Sequence, residues 1–315
     1  MKNMTALVSA FARACHYRDN TEWVFADRFA EKILEEEEFT AIAENMADGI
    51  DYFAPGFEGS REEALRYIVE HQLAPPVLAR SAFCEQEAER SVEAGCRQIV
   101  QFACGYDSFS LLANNRELTV FELDRPEMIA DRQRRMADRG LKPVCRVECI
   151  GCDLSEPIWK EELIKRGFNS GRTAFGSLLG ISYYLSNAEF GYLLKYIASL
   201  FCEESCICFD YPLAEDGSDN PLSTGGESRR TREPASSGGE SRRTRELASA
   251  AGEQMKARYT YHEMRTLLEE TGFSICDHMN AGGATERFFK EYNTKNPDHK
   301  MTAPEGVGCC LAVRR

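Results

Sequence analysis

From Gln98 onward the chain alternates short apolar runs with stretches of helical periodicity, and this alternation most limits what it can fold into. The runs at 98–103, 118–123, 144–150, 173–179 and 206–210 are rich in β-formers and read as strands. Between them, 108–114, 127–139, 158–166 and 187–200 carry apolar residues at helical spacing, with Pro126 at a helix start and Gly167 at a helix stop. Strands joined by helices at this interval are βαβ units, which are right-handed and build a mainly parallel sheet. A helix at 261–272, a strand at 273–279, a short helix at 286–292 and a strand at 308–313 finish the chain. The expected class is α/β: a Rossmann-like sheet of seven strands, mostly parallel, ending in an antiparallel pair. In such sheets ligands bind outside the carboxyl ends of the strands, so the residues just after each strand are the candidates for a site.

The first 94 residues read differently. Helical spacing recurs at 5–14, at 27–39 with the acidic run 35–38 at its end, and at 61–71; Pro75-Pro76 then breaks the chain before 79–94. The expected organisation is a helical layer over 1–94 that covers the substrate and a ligand-binding domain over 95–315. An insertion at 213–253 interrupts the second part. There the nine residues GGESRRTRE occur at 225–233 and again at 238–246, a two-copy tandem duplication. Gly, Ser and Arg leave this segment little to bury, so a solvated, mobile linker is expected.

Composition excludes several classes. A net charge of −13 disfavours a phosphate-backbone partner, so no nucleic acid is expected. No apolar stretch is long enough to span a bilayer and no signal peptide is visible, so no membrane partner and a cytoplasmic location are expected. Thirteen cysteines without a secretion signal read as reduced thiols. Cys149 and Cys152 form a CxxC, but Cys202, Cys206 and Cys208 do not complete a zinc spacing, and no metal is expected.

Chemistry concentrates after the strands. Gly105 follows the first, where a missing Cβ lets a ligand approach the backbone and the next helix turns unpaired N–H groups toward it. The dinucleotide pattern GxGxxG is absent, since Ala103 and Ser108 stand at the outer positions, which disfavours a pyrophosphate and hence an NAD-linked oxidoreductase. Glu122 and Asp124 end the second strand, 17 and 19 residues past Gly105, where a carboxylate can accept hydrogen bonds from two ribose hydroxyls. Asp153, with Leu154 beside it, follows the third strand and suits either an adenine amino group or a helix cap.

Taken in order, these pieces resemble the leucine carboxyl methyltransferase family, a branch of the class I S-adenosylmethionine-dependent methyltransferases. Thr5-Ala6-Leu7, Arg13-Ala14 and 27–30 are similar to its N-terminal helices, LARS around Arg80 to the arginine before its first strand, and QFACGYDS to its glycine turn LGAGxDT. FELDRP is similar to its ExDxP strand end, CDL with Trp159, Leu163 and Gly167-Phe168 to its third-strand region, LLGISYYLS to its EGxxxYL segment, and FDYP to the end of its fifth strand. The set spans about 210 residues of the chain.

The resemblance implies S-adenosylmethionine as cofactor. It places Arg80 on the methionine carboxylate, Gly105 under the methionine or ribose, Glu122 or Asp124 on the ribose, and Asp153 and Leu154 at the adenine. Two departures stand out. Ala103 replaces the first glycine of the turn, and Leu179 replaces the glutamate of EG, leaving Gly180, Ile181 and backbone carbonyls to hold the cofactor there. The implied reaction is O-methylation of a carboxylate or hydroxyl on a small molecule or peptide. Tyr183, Tyr184, Asp210 and Tyr211, after the fourth and fifth strands, are the acceptor-pocket candidates, and Arg13 and His16 candidate lid residues. The competing class is a non-catalytic cofactor-binding or interaction protein on the same fold. The pattern does not name the acceptor or the oligomeric state.

Overall fold

The computed structural model describes residues 4–214 and 255–315; the duplicated GGESRRTRE segment lies outside the described residues. Seven strands form one sheet in the order β3-β2-β1-β4-β5-β7-β6. They are β1 (Gln98–Phe102), β2 (Thr119–Asp124), β3 (Arg146–Gly151), β4 (Ala174–Leu178), β5 (Cys206–Pro212), β6 (Phe273–Met279) and β7 (Val307–Arg314). β1 through β5 pair in parallel, and β7 runs antiparallel to both of its neighbours. This is the expected class, each strand lying within two residues of its sequence-read position. β1 is buried along its whole length, Gln98 and Gln101 included, as expected of a central parallel strand covered on both faces.

Side chains alternate between the two faces of the sheet and so make two cores. On one face Val100, Phe102, Phe121, Leu123 and Ile150 pack with Trp159 and Leu163 of α9 (Trp159–Lys165), Phe190 and Leu194 of α10 (Asn187–Ala198), and Leu268 of α11 (Tyr261–Thr271). On the other, Ile99, Val120, Phe175 and Cys208 meet the N-terminal helices α1 (Met4–Asp19) and α6 (Ala74–Glu93). Here, too, lie α2 (Ala30–Ile33), α3 (Glu36–Asp48), α4 (Ile50–Phe53) and α5 (Arg61–Ile68). The one-turn α7 (Phe109–Leu112) follows β1, and α8 (Pro126–Asp138) follows β2. α12 (Ala281–Ala284) and α13 (Lys290–Lys295) lie between β6 and β7. Gly272, at φ +89°, ends α11 in the left-handed conformation a glycine stop provides.

Two local readings of the helical layer are corrected. The acidic run 35–38 begins a helix instead of ending one: Glu35 caps α3, its backbone N–H donating to Glu38, and carboxylates at an N-terminus face the positive end of the helix dipole. Pro75 and Pro76 do not break the chain. α5 widens into a π-helical stretch, Val69–Leu73, and runs directly into α6, whose first turn needs no N–H from either proline. Of the insertion, Leu213 and Ala214 are described, and both are tied to Tyr259. No described helix is long and apolar enough to cross a membrane.

His16 is buried in this layer; its Nε2 accepts the N–H of Val24 at 3.0 Å, and burial lowers its pKa to about 4. The unfolded chain, with an ordinary histidine, therefore binds the proton first. The stabilising neutral state is fully present above pH ~6.5 and is lost as pH falls toward ~4, on the order of 3 kcal/mol in all. Relative to a His16→Gln variant, the wild type should lose urea-unfolding stability across that window and stay parallel to it above pH 7. A constant difference down to pH 4.5 would contradict this.

Candidate cofactor site

The carboxyl ends of β1, β2 and β4 open into a cavity of about 550 Å³ bordered by α1, α6 and α10. At its floor β1 ends in the turn 103–107. Ala103 (φ 55°) and Gly105 (φ 50°) both take the left-handed conformation, so the expected backbone approach is made by two residues, one of which bears a Cβ. An Ala in that region costs about 1–2 kcal/mol. Ala103→Gly should therefore raise stability by about 1 kcal/mol after glycine's extra unfolded-state entropy, and should not weaken cofactor binding, since it removes only a methyl from the lining. Thermal unfolding with and without ligand checks both parts.

The two acids at the end of β2 part company. Asp124 borders the cavity; its Oδ2 accepts the Gly105 N–H at 2.8 Å and its Oδ1 the Arg125 N–H at 2.7 Å. Each oxygen keeps a lone pair for a ligand. Burial raises the Asp124 pKa, partly offset by those two N–H groups. Glu122 points the other way, into the interior, where Arg132 donates to it from Nη2 at 2.7 Å and Nε at 2.8 Å, and the Ser110 hydroxyl donates at 2.6 Å. Both partners of this ion pair are fully buried. Burial pushes the Glu122 pKa up, but Arg132 and Ser110 outweigh it and hold it below the usual range. Arg132 also reaches the Gly105 carbonyl at 3.4 Å, so the pair supports the turn from beneath.

Across the cavity, the Arg80 guanidinium donates to Asp210 Oδ2 at 3.3 Å and to Ser9 Oγ at 3.2 Å. Asp210 also accepts the Gly180 N–H at 2.6 Å and the Tyr183 hydroxyl at 2.9 Å, and its backbone carbonyl accepts the Ser182 hydroxyl at 2.6 Å. Asp210 thus fixes the loop after β4 and the arginine together. Gly180, at φ +70°, is required here: a Cβ would lie 2.8 Å from Arg80 Nη1. Burial, then Asp210, raises the Tyr183 pKa well above normal, so Tyr183 is a neutral donor and not a base.

Arg80, Ala103, Gly105, Asp124, Asp153, Leu154, Leu179, Gly180 and Tyr184 all border the one cavity. Glu122, Tyr183, Asp210 and Tyr211 do not; Tyr211 is buried and its hydroxyl meets His278 Nε2 at 2.8 Å. Asp153 is exposed, and its Oδ1 accepts from the Ser155 N–H and hydroxyl, a turn that precedes α9. Arg13 lines the cavity while pairing with buried Asp27 at 2.8 Å and donating to the Tyr106 carbonyl at 2.8 Å; His16 is not among the lining residues. Sequence reasoning missed Gln101, Tyr192, Tyr196 and Lys256, which also line the cavity. Lys256 carries no signal because it abuts the insertion, and Gln101 because it lies inside an apolar run. Cys149 donates its thiol to Glu122 at 3.6 Å and Cys152 is buried at the cavity wall; among the described residues no three His, Cys, Asp or Glu gather as a metal site.

These residues fit the amino acid–nucleoside cofactor implied by the sequence: a carboxylate beside an open turn at one end, an arginine at the other, and apolar Leu154 between strand ends. The leucine carboxyl methyltransferase family matches residues 6–198. A protein of Bacillus subtilis (strain 168), YktD, provisionally named an S-adenosyl-L-methionine-dependent methyltransferase, is 31% identical over 99% of this chain and 98% of its own length. A Mycobacterium avium (strain 104) protein with the same provisional description is 26% identical over 72% of this chain and 71% of its own. Among solved structures, a DUF574 family protein from Streptomyces avermitilis shares the fold, with a TM-score of 0.54 at 14% identity over 85% of this chain and 97% of that one.

Proposed function

The chain belongs to the leucine carboxyl methyltransferase family, and from that premise we propose that it methylates an oxygen, a carboxylate before a hydroxyl, on a small molecule or peptide. It is an S-adenosylmethionine-dependent methyltransferase. The observation that carries the preference for a carboxylate is the composition of the cavity: among the described lining residues there is no histidine, the acids Asp107, Asp124, Asp153 and Glu189 each accept hydrogen bonds from the chain, and the nearby Tyr183 is a neutral donor held by Asp210. A carboxylate is already ionised at neutral pH and needs no base; a hydroxyl does.

When bound, the cofactor supplies an electrophilic methyl on a sulfonium. Asp124 is the ribose ligand in this reading, because Glu122 is engaged by Arg132 away from the cavity. Arg80 takes the methionine carboxylate, kept in place by Asp210. Tyr184, Leu185, Tyr192 and Tyr196, with Glu189 and Lys256, border the remaining space, and the aromatic rings offer surfaces that orient an acceptor. Incubation with cofactor labelled in the methyl group, over a panel of carboxylic acids, phenols and C-terminal peptides, tests the reading. Label released as methanol by mild alkali marks a methyl ester and supports it. Alkali-stable label on nitrogen or carbon would overturn it.

A further inference from the structure

Leu179 removes the acid that the resemblance places after β4, yet the amino-acid end of the cofactor carries a cation that needs acceptors. Behind Leu179 a small chamber of about 20 Å³ adjoins the main cavity, sharing Ser81, Gln101, Asp107, Ser177 and Leu179 with it. Gln101 is 4% exposed, and its Oε1 is a buried oxygen without a hydrogen-bond partner. Its orientation is set: Nε2 donates to Asp107 Oδ1 at 3.0 Å, and a flipped amide would put two acceptors together. The same chamber is lined by Glu85, from α6, five residues after Arg80. The charged groups facing Glu85 are Glu89 on its own helix, Asp107 after β1, and Asp27 before α2, the last already neutralised by Arg13. Burial and these acids raise its pKa to about 7. An orphaned acceptor, two acids and a shared wall with the cofactor cavity form a receptor for a small cation.

We propose that Gln101 Oε1, Glu85 and Asp107, from α6 and the end of β1, receive the α-ammonium of the cofactor. The inference rests on the cofactor reading above. Arg80 and Glu85, on one helix, then take the carboxylate and the ammonium of the same amino-acid group. Glu85 ionises when the ammonium docks, so binding below pH 7 releases a proton.

Calorimetric titration with S-adenosylhomocysteine, and with 5′-methylthioadenosine, which lacks the amino-acid part, tests this on the full chain. Glu85→Gln should weaken S-adenosylhomocysteine about tenfold or more, as for a lost hydrogen bond to a charged group, and leave 5′-methylthioadenosine unchanged. Leu179→Glu in the Glu85→Gln background should restore most of the affinity. In the wild type at pH 6, heats in buffers of differing ionisation enthalpy should show proton release, absent in Glu85→Gln. Equal weakening of both ligands, or an unchanged S-adenosylhomocysteine affinity, would overturn the inference while leaving the cofactor reading intact. Failure of the wild type to bind either ligand would instead bring down the cofactor reading, and this inference with it.

Discussion

Arg132→Met is expected to cost the fold about 3–5 kcal/mol, because it strands the fully buried Glu122 carboxylate without its partner. Removing the pair together, as Glu122→Leu with Arg132→Met, should recover most of that loss, since well-packed apolar residues replace buried ion pairs at little net cost. Urea unfolding of the three variants measures it. The single variant should also recover partly on acidification, as the isolated carboxyl takes up a proton; if it is no less stable than the double variant at pH 7, the pair is not the support of the turn that its geometry describes. The loss reaches the site because Arg132 also holds the Gly105 carbonyl.

The second large effect is on binding. Asp124→Ala removes an acceptor for two ribose hydroxyls, and hydrogen bonds to a charged group contribute about 1.5–3 kcal/mol each. S-adenosylhomocysteine affinity should therefore fall at least about hundredfold, with folding altered far less than in Arg132→Met. Glu122→Gln should do the reverse: lower stability, and near-normal affinity in the folded fraction. If Glu122→Gln abolished binding and Asp124→Ala did not, the assignment of the two acids would be inverted.

That pair shows what the sequence can and cannot say. Both acids end one apolar strand, and spacing from Gly105 suits either. What separates them is Arg132, ten residues past Glu122 and buried on the inner side of α8, a position where an arginine ordinarily reads as surface. The strands are legible because short runs rich in β-formers alternate with helical periods, even where polar residues such as Gln101 and Glu148 interrupt them. The acidic run at 35–38 was misplaced because helix starts depend on caps, and Glu35 is an uncommon one. Pro75-Pro76 misled because a π-helical stretch, with no sequence signature, carries the chain into them. Asp210 was visible as a residue after β5, but its partners lie at 80, 180 and 183, and only the folded sheet brings them together. The orphaned oxygen of Gln101 likewise needs three-dimensional neighbours before it can be recognised.

In the proposed arrangement one cavity, between the Gly105 turn and Arg80, holds the cofactor with Asp124 at its ribose. A crystal structure of the chain with S-adenosylhomocysteine bound tests it most directly. Both ribose hydroxyls should lie within hydrogen-bond distance of the Asp124 carboxylate, the methionine carboxylate on Arg80, and Glu122 should still be paired with Arg132. Ribose hydroxyls bound elsewhere, with Asp124 facing only Gly105 and Arg125, would contradict it.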